Sequence, residues 1–302
     1  MTECERLIAD GIFSRTYFEA ETRNDFSVDT TRKKVWAIEI DLLLQLDRVC
    51  KKYGLQYYLM FGSLLGAIRH RGFIPWDDDL DVCMPRMDYE TLLKIAPDEF
   101  KDPYFFQIPE TDPGFFYTFA KIRNSNTTAF LELFQYQRFN MGLMIDVIPM
   151  DVCDEHDVEA HFHEIQTKTR ENTTYMRMSN PNLSPADIER VKAYPGGDPL
   201  KRYYEIHRIA TLHEDEANNL TGRITAVLTT YSCRKMILNA ADLNKTILWP
   251  FEGFKFPIPA GYDNILKTIY GDYMQFPPIE ERGTWHSDYL IDPDKSYKEY
   301  FH

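Results

Sequence analysis

The sequence predicts an α+β fold: strands and helices over the first half, then a helical C-terminal module. Three observations predict it. Val35, Ile38, Leu42, Leu46 and Val49 follow helical spacing through 31–53. The run D-L-D-V-C-M at 79–84 alternates with period two, and 143–148 is a short, nearly apolar run; both are strand patterns. From Asp154 to about residue 232 the composition turns polar with helical periodicity.

In chain order, residues 1–30 are polar and irregular, with one short helix around 5–10, and read as an N-terminal arm. The helix over 31–53 ends at Gly54, the residue type that best takes a left-handed C-cap. A Tyr-rich strand at 56–60 leads to Gly62-Ser63 and a short helix over 63–70. Pro85 is set to start a helix over 86–96. Strands follow at 104–108 and 115–123, with a turn at 124–126. After the strand at 143–148, Pro149 and Asp151 read as a strand end and the cap of the next helix. Loops at 180–184 and 194–199 divide the polar helices. Prolines confine a strand at 254–259 to a sheet edge, and a helix over 262–270 stops at Gly271. Residues from Asp288 on form a charged tail, and there are no internal repeats.

Composition excludes several classes. The 302 residues are 44% hydrophobic and 27% charged, which is globular rather than disordered. A net charge of −13 argues against a nucleic-acid grip and against electrostatic docking on an anionic membrane. The first 25 residues lack the basic and apolar regions of a signal peptide, and no window has the apolar length of a membrane span. The five cysteines, Cys4, Cys50, Cys83, Cys153 and Cys233, are widely spaced without a metal pattern and read as reduced, buried thiols of a cytoplasmic protein. His156, His161 and His163 suggest zinc at first sight. His161 and His163 are two apart and do not share a helix face, so the reading is a solvated helix.

The chemistry concentrates in FGSLLGAIRHRGFIPWDDDLDVCM, residues 61–84. Asp79 and Asp81 fall on one face of the strand pattern, where aspartate is disfavoured. Two carboxylates about 5 Å apart repel by roughly 3 kcal/mol at an effective dielectric of about 20. A divalent cation reverses that sign, and hard oxygen ligands suit magnesium, manganese or calcium. The bland alternative is a solvated acidic turn. A calcium loop fails, because its glycine and glutamate positions hold Val82 and Asp88. Upstream, Gly62-Ser63 at a strand-to-helix turn offers backbone N–H groups and a hydroxyl, a natural phosphate seat. The cations Arg69, His70 and Arg71 either reach a diphosphate or only favour the helix C-terminus. Lys121 and Arg123 share a strand face, either opposite the aspartates as phosphate ligands or simply exposed. Trp76 packs the loop or stacks on a base. Asp146 is a lone acid in an apolar strand, costly unless paired or metal-bound.

The segment 61–89, FGSLLGAIRHRGFIPWDDDLDVCMPRMDY, resembles the core signature of LicD-type proteins. MIDVIPMD (144–151) and LKTIYGDYMQFPPIEERGTWH (266–286) resemble two further motifs of that family, in the same order, so the resemblance spans roughly 35–287. It implies a catalytic core like that of the polymerase-β nucleotidyltransferase superfamily over 31–151. It also implies that residues 152–302 hold a helical module whose C-terminal segment returns to the core. Asp146 would be the third carboxylate, beside Asp79 and Asp81, and the three would hold Mg²⁺ or Mn²⁺. Gly62, Ser63, Arg69, Lys121 and Arg123 would bind the donor. Tyr270, Tyr273, Trp285 and His286 lie in the closing segment, as ligand contacts or as packing.

The implied activity is transfer of a phospho-alcohol group, most often phosphocholine, from a CDP-alcohol to a hydroxyl of a cell-surface glycan or teichoic acid precursor, releasing CMP. A lipid-linked acceptor would bring the protein peripherally to the inner face of the membrane. Two alternatives stand beside it: a nucleotidyltransferase that uses an NTP on a small molecule or protein, and a non-catalytic binder of a glycan or partner. Pyrophosphate rather than CMP as product marks the first. The presence of all three acids and the Gly-Ser turn argues against the second.

Overall fold

A computed structural model describes residues 1–153, 156–213, 224–226, 237–283 and 288–300. Its centre is a mixed seven-stranded sheet. The strand β8 (Leu143–Cys153) runs through the middle. On one side it pairs in parallel with β4 (Asp81–Pro85), and β4 pairs antiparallel with the short β3 (Tyr58–Leu59). The other side of β8 is shared. Its first half pairs with β6 (Ala120–Asn124), which carries β5 (Tyr104–Gln107). Its last three residues pair with β9 (Ile224–Ala226), which carries β10 (Ile237–Asn239).

This shared edge explains why β8 outruns the expected strand. Pro149 lies between the stretch paired with β6 and the stretch paired with β9, opposite Met84 of β4. Its missing N–H therefore interrupts no continuous ladder on that side. Asp151 consequently does not cap a helix. It lies inside β8, fully buried, and accepts from Arg86 Nε at 2.6 Å. Neither side chain of that pair has measurable exposure.

The helix α2 (Thr30–Tyr53) packs across the sheet through the predicted stripe. Asp29 caps its N-terminus by accepting from Arg32 N–H, and Gly54 ends it at φ +69°. The short α3 (Phe61–His70) follows β3, and α4 (Arg86–Glu99) follows β4 with Pro85 at its N-cap. The first 28 residues pack rather than trail. The helix α1 (Glu3–Ala9) and the hairpin of β1 (Glu21–Arg23) and β2 (Phe26–Val28) place Leu7 and Val28 fully inside the main core. Few apolar residues in a polar segment suffice for that docking, aided by Arg6 on buried Asp41 at 2.6 Å.

In the second half come the helices α5 (Val158–Arg177), α6 (Pro185–Lys192) and α7 (Pro199–Ala210). The chain then returns to strands. Beyond β9 and β10 it forms the hairpin β11 (Thr246–Phe251) and β12 (Phe254–Pro259), whose Phe251, Phe256 and Ile258 enter the main core. The helix α8 (Tyr262–Tyr270) packs on α3. The expected charged tail instead contributes β13 (Tyr289–Asp292), which pairs with β7 (Thr128–Leu131). Cys4, Cys50, Cys83 and Cys153 are buried, and Cys233 lies outside the described residues. Among the described residues, no helix is long and apolar enough to cross a membrane.

Candidate active site

The turn between β3 and α3 carries backbone strain. Phe61 has φ +52°, a region costly for a bulky L-residue, and there the chain turns into the helix. The helix starts at Phe61, two residues earlier than expected, so Gly62 and Ser63 lie in its first turn. Ser63 Oγ accepts the backbone N–H of Asp81 at 2.9 Å, and Met60 N–H donates to Asp81 O at 3.1 Å. The Gly-Ser turn thus fixes where β4 begins. A Cβ on Gly62 would stand 2.8 Å from Asp77 Oδ2, so the missing side chain is what lets that carboxylate approach the turn.

A polar row crosses the sheet. Asp81 is the register partner of Asp146 on the neighbouring parallel strand. Asp146 is in turn the register partner of Lys121 on β6, and the two side chains form an ion pair. Lys121 is almost completely buried, with 8% of its side chain exposed, so Asp146 is its essential counter-charge. Asp79 lies just before β4, partly buried like Asp81. Burial holds the Asp81 carboxyl well above the usual carboxylate range, and Asp79, Asp146 and Asp77 add to that through repulsion.

Sequence reasoning left out Asp77 and Glu39. Burial, then Asp79 and Asp78, raise Asp77 well above its ordinary value. Its backbone carbonyl accepts from Arg32 Nη1 at 2.7 Å and Trp36 Nε1 at 3.1 Å, so α2 holds the acidic loop in place. Glu39, on the same helix, is 2% exposed, and its Oε2 is buried without a hydrogen-bond partner. Burial pushes it well above the ordinary range, with Asp79, Asp78 and Asp77 adding. The only hint in the sequence was a glutamate on the apolar side of an amphipathic helix.

Beside the carboxylates lies a cleft of about 360 Å³. Gly62, Arg69, Trp76 and Asp77 form one wall, and Tyr270 at the end of α8 and Phe276 in the segment beyond it form the other. Arg69 donates to the carbonyls of Tyr273 and Gln275, both at 3.0 Å, which ties that segment to α3. The guanidinium of Arg69 lies 5.0 Å from the Phe276 ring centroid, and that of Arg282 lies 4.8 Å from Trp76. Burial lowers the His70 imidazole to about 4, with nearby Arg69 adding.

The structure therefore brings together Asp79, Asp81, Asp146, Lys121, Gly62 and Ser63, and sets Arg69 on the adjoining cleft. Arg123 takes a different position. Its guanidinium is buried and donates to Gln107 Oε1 and, at 2.6 Å, to the Gly142 carbonyl. Strand alternation correctly placed it on the face of Lys121, but sequence alone could not show that β5 and Gly142 close over it. Tyr273 donates to Asp263 at 2.8 Å. Trp285 and His286 lie outside the described residues.

As cation ligands, the aspartates fit in chemistry: the donors are carboxylate oxygens, and their mutual repulsion is what a cation relieves. They are spaced loosely. Among the described residues, the three-residue group whose ligand atoms lie within 4.8 Å of one another is Asp157, His161 and His213, so joining three of the aspartates on one ion takes side-chain rotation.

Comparison with known proteins defines the class first. Residues 54–183, which contain α3, the acidic loop, β4 and β8, match the family described as LicD/FKTN/FKRP, nucleotidyltransferase domain. This part of the chain is therefore similar to a LicD-type domain. Among particular relatives, the chain is 26% identical over 261 residues to the lipopolysaccharide cholinephosphotransferase LicD of Haemophilus influenzae, covering 82% of this chain and 92% of that one. It is also 24% identical over 189 residues to the uncharacterised protein RP689 of Rickettsia prowazekii, covering 62% and 64%. A 56-residue stretch is 38% identical to a Rickettsia typhi protein, covering 18% of each chain.

Proposed function

We propose that this protein transfers a phospho-alcohol group, phosphocholine in the first instance, from a CDP-alcohol to a hydroxyl of a cell-surface glycan such as lipopolysaccharide. The reading rests above all on the Asp81–Asp146 register pair, with Lys121 beside it and the Gly62-Ser63 turn against Asp81. The similarity to a named cholinephosphotransferase over most of both chains supports it.

Asp79, Asp81 and Asp146 would hold Mg²⁺ or Mn²⁺, which when bound offsets the charge of the donor diphosphate. The residues of the chain do the rest. The first turn of α3 presents backbone N–H groups to non-bridging phosphate oxygens. Arg69 supplies positive charge on the cleft side, and Trp76 and Phe276 bound the space for the alcohol or the base. The acceptor oxygen forms a bond to the distal phosphorus, and the bond from that phosphorus to the CMP oxygen breaks. The hydroxyl proton passes to Asp146, while Lys121 keeps that carboxylate oriented and compensates its charge.

The test is calorimetry of the chain with CDP-choline, CDP-ethanolamine, CDP-glycerol, CDP-ribitol and ATP, with and without Mg²⁺. Magnesium-dependent binding of one CDP-alcohol, lost in Asp79→Asn/Asp81→Asn, is the expected result. Binding of nucleoside triphosphates alone would instead favour nucleotidyl transfer, the chemistry in the matched domain's description. Absence of any nucleotide binding would remove the reading.

A further inference from the structure

Away from the acidic cluster, Asp157, His161 and His213 bring three metal-type ligand atoms within 4.8 Å of one another. Asp157 stands immediately before α5, His161 lies one turn into that helix, and His213 follows the end of α7. Asp157 Oδ2 is 3.0 Å from His213 Nε2, and Asp157 Oδ1 is 3.5 Å from His161 Nδ1. The two imidazole centroids are 6.0 Å apart.

Two details single this group out. Asp157 occupies the N-cap position of α5, where an aspartate ordinarily accepts a backbone N–H of the first turn, yet its side chain makes no capping bond. Its carboxylate is turned to the imidazoles instead. Oδ1 is moreover buried and has no hydrogen-bond partner, although it faces a ring nitrogen. An oxygen left in that condition is costly unless something else binds it. The three side chains keep 21–38% exposure, which leaves a path for an ion and a water ligand.

We infer that Asp157, His161 and His213 form a binding site for a zinc-class divalent cation, distinct from the acidic cluster. Two imidazole nitrogens and one carboxylate oxygen, with water in the fourth position, form a tetrahedral set that suits Zn²⁺ and is poor for Mg²⁺. The site joins the start of α5 to the end of α7. Beneath it those helices share a small separate core of Cys153, Val158, Ile165, Ile206, Ile209 and Ala210. A core of that size benefits from a metal cross-link, so the role assigned here is to fix these helices to each other. The histidines at 156–163 point only to His161, because the third ligand, His213, comes from a distant helix end rather than from His156 or His163.

The test uses the full chain, stripped with chelator and then titrated with Zn²⁺ by calorimetry and with Co²⁺ by visible absorption. The expected result is one equivalent bound, with the d–d bands of a tetrahedral Co²⁺ site and a rise in Tm on adding Zn²⁺. Affinity should fall at least tenfold in His161→Ala/His213→Ala and in Asp157→Asn, and persist in Asp79→Asn/Asp81→Asn. Metal-free Tm values and circular dichroism of the variants establish that they fold. Equal Zn²⁺ binding by wild type and the histidine variant would overturn the site. So would loss of Zn²⁺ binding in Asp79→Asn/Asp81→Asn alone, which would place the ion at the acidic cluster. Absence of Zn²⁺ binding in the wild type would leave a plain Asp–His ion pair and end the proposal. None of these outcomes depends on transferase activity.

Discussion

Replacing Asp81 by Asn should stabilise the protein in metal-free buffer while removing activity. Asp81 is the register neighbour of Asp146, and Asp79 and Asp77 also repel it. One carboxylate pair about 5 Å apart at an effective dielectric of about 20 is worth about 3 kcal/mol of repulsion. Lys121 cancels part of it, because it already pairs with Asp146. The net gain is therefore about 1–2 kcal/mol with the cluster ionised, or a Tm rise of about 2–4 °C in a chain of this size. The sign with pH follows from the raised folded-state value of Asp81. Between the unfolded value near 3.9 and that raised value, the folded wild type binds more protons than the unfolded chain. Wild-type stability from this group therefore falls as pH rises through the window, and the Asn variant escapes the loss. Thermal melts at about pH 5 and about pH 8 should show a small gap at the lower pH and a wider one at the higher. Saturating Mg²⁺ should narrow the gap by stabilising wild type. An Asn variant less stable than wild type at both pH values, or a gap independent of pH, would refute the repulsion argument.

Other perturbations probe separate parts of the structure. Asp146→Ala leaves buried Lys121 without its counter-charge and should cost about 1–3 kcal/mol in denaturant melts, where Asp146→Leu/Lys121→Met should recover part of the loss. Gly62→Ala drives its methyl against the Asp77 carboxylate, so Mg²⁺-dependent donor binding should weaken about tenfold or more by calorimetry while the fold survives. Arg86→Ala removes the buried cation that pairs with Asp151, with an expected loss of about 3–5 kcal/mol by chemical denaturation, and Arg86→Met/Asp151→Leu should restore most of it. The His70 imidazole, lowered to about 4, favours the folded state only while neutral. Its contribution is complete above the unfolded value near 6.5 and is lost as pH falls towards 4; a His70→Gln variant should show a shallower acid limb in its stability profile.

Much of this site can be read locally because the chemistry is local. The Gly62-Ser63 turn, the alternating aspartates and the lone Asp146 lie within elements whose periodicity is visible in short windows, and the helices ending at Gly54 and Gly271 carry their stop signals beside them. What escaped depends on partners far along the chain. Whether Lys121 reaches Asp146 and Arg123 turns into the protein depends on how β5, β6 and β8 align. Asp151 reads as a cap because Pro149 looks like a strand end, and only the division of one edge of β8 between β6 and β9 removes that objection. The strand of Tyr289–Asp292 has no strong alternation of its own and is defined by its pairing with β7. Glu39 gains its importance from a loop 38 to 40 residues away, which α2 holds through Arg32 and Trp36.

The central claim is tested most directly by product analysis of a turnover reaction. Full-length protein would be incubated with CDP-choline, Mg²⁺ and a lipopolysaccharide oligosaccharide acceptor, followed by phosphorus NMR and chromatography of nucleotides. The account predicts CMP and a phosphodiester on the acceptor in equal amounts, with both falling by about a thousandfold or more in Asp146→Asn. Pyrophosphate released from an NTP, with CDP-choline left intact, would contradict it, as would transfer that survives the loss of Asp146.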